Sequence, residues 1–254
     1  MQEEVVALSV TYLVVASIIA YILMNKLLWR SERDWVFIGV GYMILALVLQ
    51  YPTQQAPFIV LLLSHLRNIM ELNELTLRVI KSNIYLVSIY MGSLAGVFQE
   101  VARYFAVKDK AMGASLYIGY GFALIDIAVA LINIVIISII PSSLNISTLT
   151  SINMVGVISL VGLLLQPLVS FLFHPGASMI LRGMQASGHG IRGLAVTVTT
   201  HAYMDSFLEY LNSAIILGLI NNYGVMLKLT LVYFTSVTLI PILIFSYGLR
   251  ILRS

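Results

Sequence analysis

Seven apolar runs, each long enough to cross a bilayer, follow one another along this chain with only short polar breaks. A helix needs about 20 mainly apolar residues to span the hydrocarbon core. The runs fall at 5–25, 35–63, 83–106, 112–140, 153–181, 190–219 and 226–249. A soluble domain carries about 25% charged residues; this chain carries 10%, against 60% hydrophobic. The expected fold class is therefore all-α: a polytopic, multi-pass protein of the cell membrane, with residues 1–254 forming one bundle of seven transmembrane helices.

The breaks carry their own signals. QYPTQQAP (50–57) puts two prolines in the second run, which predicts either a kink or an early end. HLRNIMELNELTLRVIK (65–81) mixes charges of both signs with apolar residues at helical spacing, the pattern of an amphipathic surface helix. The opening MQEEVVALSV is acidic where a cleavable signal needs basic residues, so the first run is expected to stay as a membrane helix. No cysteine occurs, which excludes disulfides and thiolate metal sites. The net charge of +3 is too small to suggest a nucleic-acid partner. The expected surroundings are the lipid bilayer and a membrane-protein substrate or partner subunit.

Cation placement predicts the orientation. With the amino terminus outside, the inner segments hold Lys26, Arg30, Arg33, Lys108, Lys110, Arg182, Arg192, Arg250 and Arg253, nine in all. The outer ones hold Arg67, Arg78, Lys81 and Lys228, four. Nine against four favours N-out, C-in. The uncharged stretch PSSLNISTLTS (141–151), with an N-I-S sequon at Asn145, suits the outer side.

Ionisable residues inside the runs are the functional signal. Glu100, Arg103, Asp126, His174, His201, Asp205 and Glu209 all fall where lipid would otherwise surround them. Each such group costs at least about 2.5–3.5 kcal/mol near the bilayer centre, so it must face the bundle interior and find a partner. Glu100 precedes Lys108 by eight residues, His174 precedes Arg182 by eight, and His201 follows Arg192 by nine. At 1.5 Å per residue these are all depths of about 12–14 Å. Three helices thus bring a carboxylate and two imidazoles to one level. Asp126, about 24 Å from Lys110 on the same scale, suits a second layer.

Local spacing adds chemistry. In QEVAR, Glu100 and Arg103 share a helix face and can pair. In FLFHPGAS, Pro175 follows His174 and would free a backbone carbonyl at Phe171. In HAYMDS, Asp205 lies one turn from His201 and can orient its ring. Each has a plainer reading: a helix-locking ion pair, a histidine capping the freed carbonyl, an interhelical clip, and Asp126 paired with Arg103. His189 in ASGHGIRG is expected in solvent, His65 at the interface, and Trp29, Trp35 and Tyr247 in an aromatic belt.

The ordered motifs G-x-F-Q-E-x-x-R-Y-F (96–105), F-H-x-x-x-S (173–178) and H-A-x-x-D (201–205) resemble the YhfC family of intramembrane metalloproteases. That family belongs to the superfamily of the type II CAAX prenyl proteases. FIGVGYMILALVLQYP (37–52) is similar to the early part of YhfC proteins, so the resemblance covers most of the chain from residue 37. The Aph scaffold subunit of γ-secretase, in the same superfamily, is also similar: seven spans, FQE-x-x-R and two late membrane histidines. The resemblance implies an intramembrane endopeptidase with Glu100, Arg103, His174, His201 and Asp205 as site residues. Gln99 and Asp126 would support them, and His174 and His201 would be ligands for a divalent metal such as zinc.

One departure matters. Gln99 stands where the proteolytic members have the first of two glutamates, the one that activates water. A glutamine cannot serve as a general base near neutral pH. CAAX-type members also carry a histidine in F-x-x-x-H, where FALID here ends in Asp126. Either Glu100 or Asp126 takes the role of base, or the chain is a non-catalytic scaffold like Aph, which has the same Gln-Glu order. A proton-coupled transporter reading finds no internal repeat.

Overall fold

A computed structural model describes residues 2–27, 34–64, 69–139 and 149–253, with side chains described except at 2–6, 24–27, 69–73, 135, 137–139 and 149–160. The described chain is helical, in the order α1 (Gln2–Leu27), α2 (Trp35–Ser64), α3 (Ile69–Ser82), α4 (Ile84–Val107), α5 (Met112–Ile139), α6 (Leu149–Ala186), α7 (Gly190–Ile216) and α8 (Tyr223–Arg253). Each apolar run becomes one helix, and the amphipathic stretch becomes α3. On α3, Glu74, Leu77, Arg78 and Lys81 are exposed while Leu75, Thr76, Val79 and Ile80 are half-buried, a 3.6-residue alternation. The sequon and residues 141–148 lie outside the described residues, as do His65, Arg67, Trp29, Arg30 and Arg33.

Proline does not end α2. Pro52 and Pro57 both lie inside it. A proline at 57 has no N–H for the carbonyl of Thr53, and the Tyr90 hydroxyl of α4 donates to that carbonyl at 2.7 Å. A partner helix thus satisfies the group that proline frees, which is how membrane helices tolerate proline.

Five of these helices are long and apolar enough to cross a membrane: Trp35–Ser64, Ile84–Val107, Met112–Ile134, Val161–Ala186 and Tyr223–Arg253. The chain is accordingly a polytopic helical membrane protein. In α1 the apolar stretch Ala7–Leu23 is shorter. In α7, 27 residues are enough for a span, but His201, Asp205 and Glu209 dilute its apolar character. Large apolar side chains on α2, α4 and α8, such as Val60, Leu86 and Leu243, stay exposed on the outside of the bundle. Such a surface is suited to lipid.

The middle of the bundle is built from α5 and α6. Residues 114–123 and 173–181 are buried without a break. Around them α4 packs along α7, α8 along α6, and α2 along both α5 and α4. Small residues permit this closeness. A Cβ on Gly92 would sit 2.2 Å from the Ser206 backbone nitrogen of α7, and one on Gly119 would sit 2.4 Å from Pro175 Cα of α6. Those contacts bring α4, α5, α6 and α7 near enough for short polar side chains to meet.

Candidate functional site

Glu100 and Arg103 are both fully buried, at 0% exposure. Three residues apart on α4, they lie on one face, and Arg103 Nη1 donates to the Glu100 carboxylate. The pair also reaches both neighbouring helices. Arg103 Nη2 bonds His174 Nδ1 on α6. Glu100 Oε1 lies 2.7 Å from His201 Nδ1 on α7. The guanidinium stacks 4.7 Å above the Phe122 ring, a cation–π contact inside the bundle.

This arrangement fixes the two imidazoles in opposite tautomers. A guanidinium can only donate, so His174 Nδ1 accepts and the proton lies on Nε2. A carboxylate can only accept, so His201 Nδ1 donates, and in the neutral ring Nε2 carries the lone pair. One ion pair thus turns a donor edge of His174 and an acceptor edge of His201 away from itself.

Both edges face a cavity of about 330 Å³ lined by Gln99, Asp126, Gln166, Ser170, His174, His201, Asp205 and apolar side chains that include Phe173 and Tyr233. Its volume lies at the low end of ligand pockets, about 300–1,000 Å³. His174 Nε2 is 3.5 Å from Asp126 Oδ2, and His201 Nε2 is 3.6 Å from Asp205 Oδ2. Glu100 and Arg103 are not among the lining residues; they lie behind the histidines.

The expected site residues converge, with their contacts redistributed. Glu100, not Asp205, holds the His201 ring, because Asp205 stands beyond hydrogen-bond distance on the other nitrogen. Asp126 does not pair with Arg103 and does not form a second layer. Gln166 Nε2 donates to it at 2.9 Å, and the Ser170 hydroxyl donates to the same oxygen. Gln99 donates from Nε2 to Gln50 Oε1 at 3.0 Å. Of the residues expected outside the site, His189 is exposed. Trp35, on α2, carries Lys110 Nζ 5.1 Å from its ring.

Gln166, Ser170 and Gln50 join the site without having been singled out by the sequence reading. The first two had a readable signal: Gln166, Ser170 and His174 are spaced by four and mark one polar stripe on α6. Gln50 and Gln54 repeat that spacing on α2.

The donor set does not fit the zinc ion that the resemblance implies. Glu100, the carboxylate that holds His201 Nδ1, is also bound by Arg103, whose guanidinium takes His174 Nδ1. With both Glu100 oxygens and His174 Nδ1 taken by Arg103, none of these atoms is free to ligate a divalent cation. Among the described residues no group of three or more His, Asp or Glu side chains is arranged to hold a metal. Compared with family models, curated proteins and solved structures, the chain matches none.

Proposed function

We propose that this chain is a seven-span membrane protein, N-out and C-in, that hydrolyses peptide bonds of membrane-embedded substrates. The five apolar helices, together with α1 and α7, make up the seven. The resemblance to the YhfC and CAAX-type proteases motivates the reaction class. The observation that carries it is the pair of oppositely set imidazoles facing one polar cavity within the bundle.

In this reading His201 Nε2 takes a proton from a water molecule, and the hydroxyl oxygen attacks the carbonyl carbon of the scissile bond. The carbonyl oxygen becomes an oxyanion, and the His174 Nε2–H donates to it. Collapse of the tetrahedral intermediate breaks the C–N bond. His201 returns the proton to the leaving nitrogen, giving a carboxylic acid and an amine, which part as carboxylate and ammonium once the acid's proton passes to the amine. Glu100 and Arg103 are positioning residues: they hold the rings and fix the tautomers. The role of base thus falls to a histidine that faces the cavity, and the glutamine at 99 is no obstacle.

A second reading, a non-catalytic membrane scaffold like Aph, is favoured by one feature. Both Glu100 oxygens are engaged and the ion pair ties α4 to α6 and α7, as a purely architectural clip would. The two readings separate on a reporter transmembrane peptide incubated with purified protein in detergent. Hydrolysis requires cleavage by the wild type and its loss, by about 100-fold or more, in His201→Ala. Equal cleavage by both, or none by the wild type, leaves the scaffold.

A further inference from the structure

The cavity beside the histidines is built for a positive charge, and we propose that it receives the ammonium or guanidinium group of a basic substrate side chain. This inference rests on the peptide-hydrolase reading and names the substrate class: membrane peptides with Lys or Arg beside the cleaved bond.

The first observation is an orphaned acceptor. Met91 O can only accept, so Gln54 donates to it from Nε2, at 2.7 Å. Gln54 Oε1 then accepts from Gln50 Nε2 at 3.3 Å, and Gln50 Oε1 accepts from Gln99 Nε2 at 3.0 Å. The backbone carbonyl at one end sets the direction of the whole ladder. At the other end Gln99 Oε1 is buried without a partner, on a residue only 6% exposed. A buried unpaired amide oxygen costs about 1–3 kcal/mol, and a donor arriving in the cavity would offset that cost.

The second observation is the charge around it. A second cavity of about 330 Å³ adjoins the first and shares Gln99, Asp126 and Asp205 with it. Glu209 lines the second cavity as well. No lysine or arginine lines either one among the described residues. The nearest buried cation, Arg103, is bound to Glu100. Carboxylates held in a bundle within the membrane call for a counter-charge, and among the described residues the cavity walls offer them only the imidazoles of His174 and His201, beside Asp126 and Asp205. A primary ammonium offers three donors, and a guanidinium five. Gln99 Oε1, Asp126 and Asp205 together offer the acceptors. The aromatic ring of Tyr51 on the second cavity's wall adds a face suited to a cation.

The test uses the full chain in detergent with n-hexylammonium chloride as probe, n-hexanol as its neutral counterpart and sodium chloride at matched ionic strength. Thermal unfolding reads binding without turnover. The midpoint should rise saturably with hexylammonium alone. Gln99→Met and Asp205→Asn should each weaken that response by about tenfold. Asp205 is partly exposed, so its variant keeps the test open should Gln99→Met not fold. No response, an equal response to hexanol or sodium chloride, or unchanged affinity in a folded variant overturns the proposal. In parallel, a reporter peptide with Lys at the cleaved position should show a KM about tenfold below its norleucine counterpart. Equal cleavage of the two peptides removes the cation site and leaves the hydrolase reading intact. Saturable binding with no cleavage of any peptide removes the hydrolase reading and leaves the site.

Discussion

The rings of His174 and His201 stand 5.8 Å apart, inclined at 73°, and each is held at Nδ1 by a different member of the same ion pair. Two helices, α6 and α7, thereby take their rotational setting from α4. The geometry makes the two imidazoles unlike in chemistry although alike in sequence, and the consequences can be measured.

Replacing each histidine by glutamine should separate their roles. A glutamine at 174 still offers N–H donors, whereas one at 201 offers no basic nitrogen. In the reporter-peptide assay, His201→Gln should lower kcat by about 10²–10⁴. His174→Gln should retain more activity than His174→Ala, because a donor to the oxyanion survives. Equal losses for His174→Gln and His174→Ala would show that donation is not what His174 contributes.

Removing one member of the ion pair should cost far more than removing both. Arg103→Met leaves the Glu100 charge buried with His201 Nδ1–H as its remaining partner, a loss of about 3–5 kcal/mol. Arg103→Met combined with Glu100→Gln leaves no uncompensated charge and should recover much of that loss. Denaturant or thermal unfolding of the single variants and the double variant in detergent gives the coupling. Additive effects would mean that the pair contributes nothing as a pair.

Gly92→Val tests the α4–α7 contact at Ser206. Its Cβ alone would fall 2.2 Å from Ser206 N and 2.6 Å from Ser206 Cα, both backbone atoms that cannot swing aside. Overpacking of this kind costs about 1–3 kcal/mol, read as a lower midpoint in thermal unfolding. At Gly41 an added Cβ would meet nothing within 4 Å, so alanine there should bring no such loss.

The orientation can be read with single cysteines, since the chain has none of its own. Lys108 and Asn221 are exposed between helices, after α4 and after α7. In intact cells an impermeant thiol reagent should label Asn221→Cys, and should label Lys108→Cys only after permeabilisation. The reverse pattern would invert the proposed topology.

The helices were legible because lipid imposes a length and an apolar character that the chain displays openly; α2, α4 and α5 begin within a residue of the expected positions. The convergence of Glu100, His174 and His201 was legible from depth counting, since a helix translates residue number into height. Rotation was not. Which nitrogen of His201 meets which carboxylate depends on azimuthal angles set by contacts such as Gly92 on Ser206, and no spacing along one helix encodes those. The role of Gln99 was hidden for a related reason. Its partner Gln50 lies 49 residues away on α2, in a stretch whose two prolines argued for a break.

The intrahelical setting of Glu100 and Arg103 bears on how the protein is made. During synthesis α4 leaves the ribosome well before α6 and α7 exist, yet the acid and the base it carries lie three residues apart on one turn. They can neutralise each other within that single segment, so α4 enters the lipid as a neutral rod and meets its two histidines only when the later helices arrive.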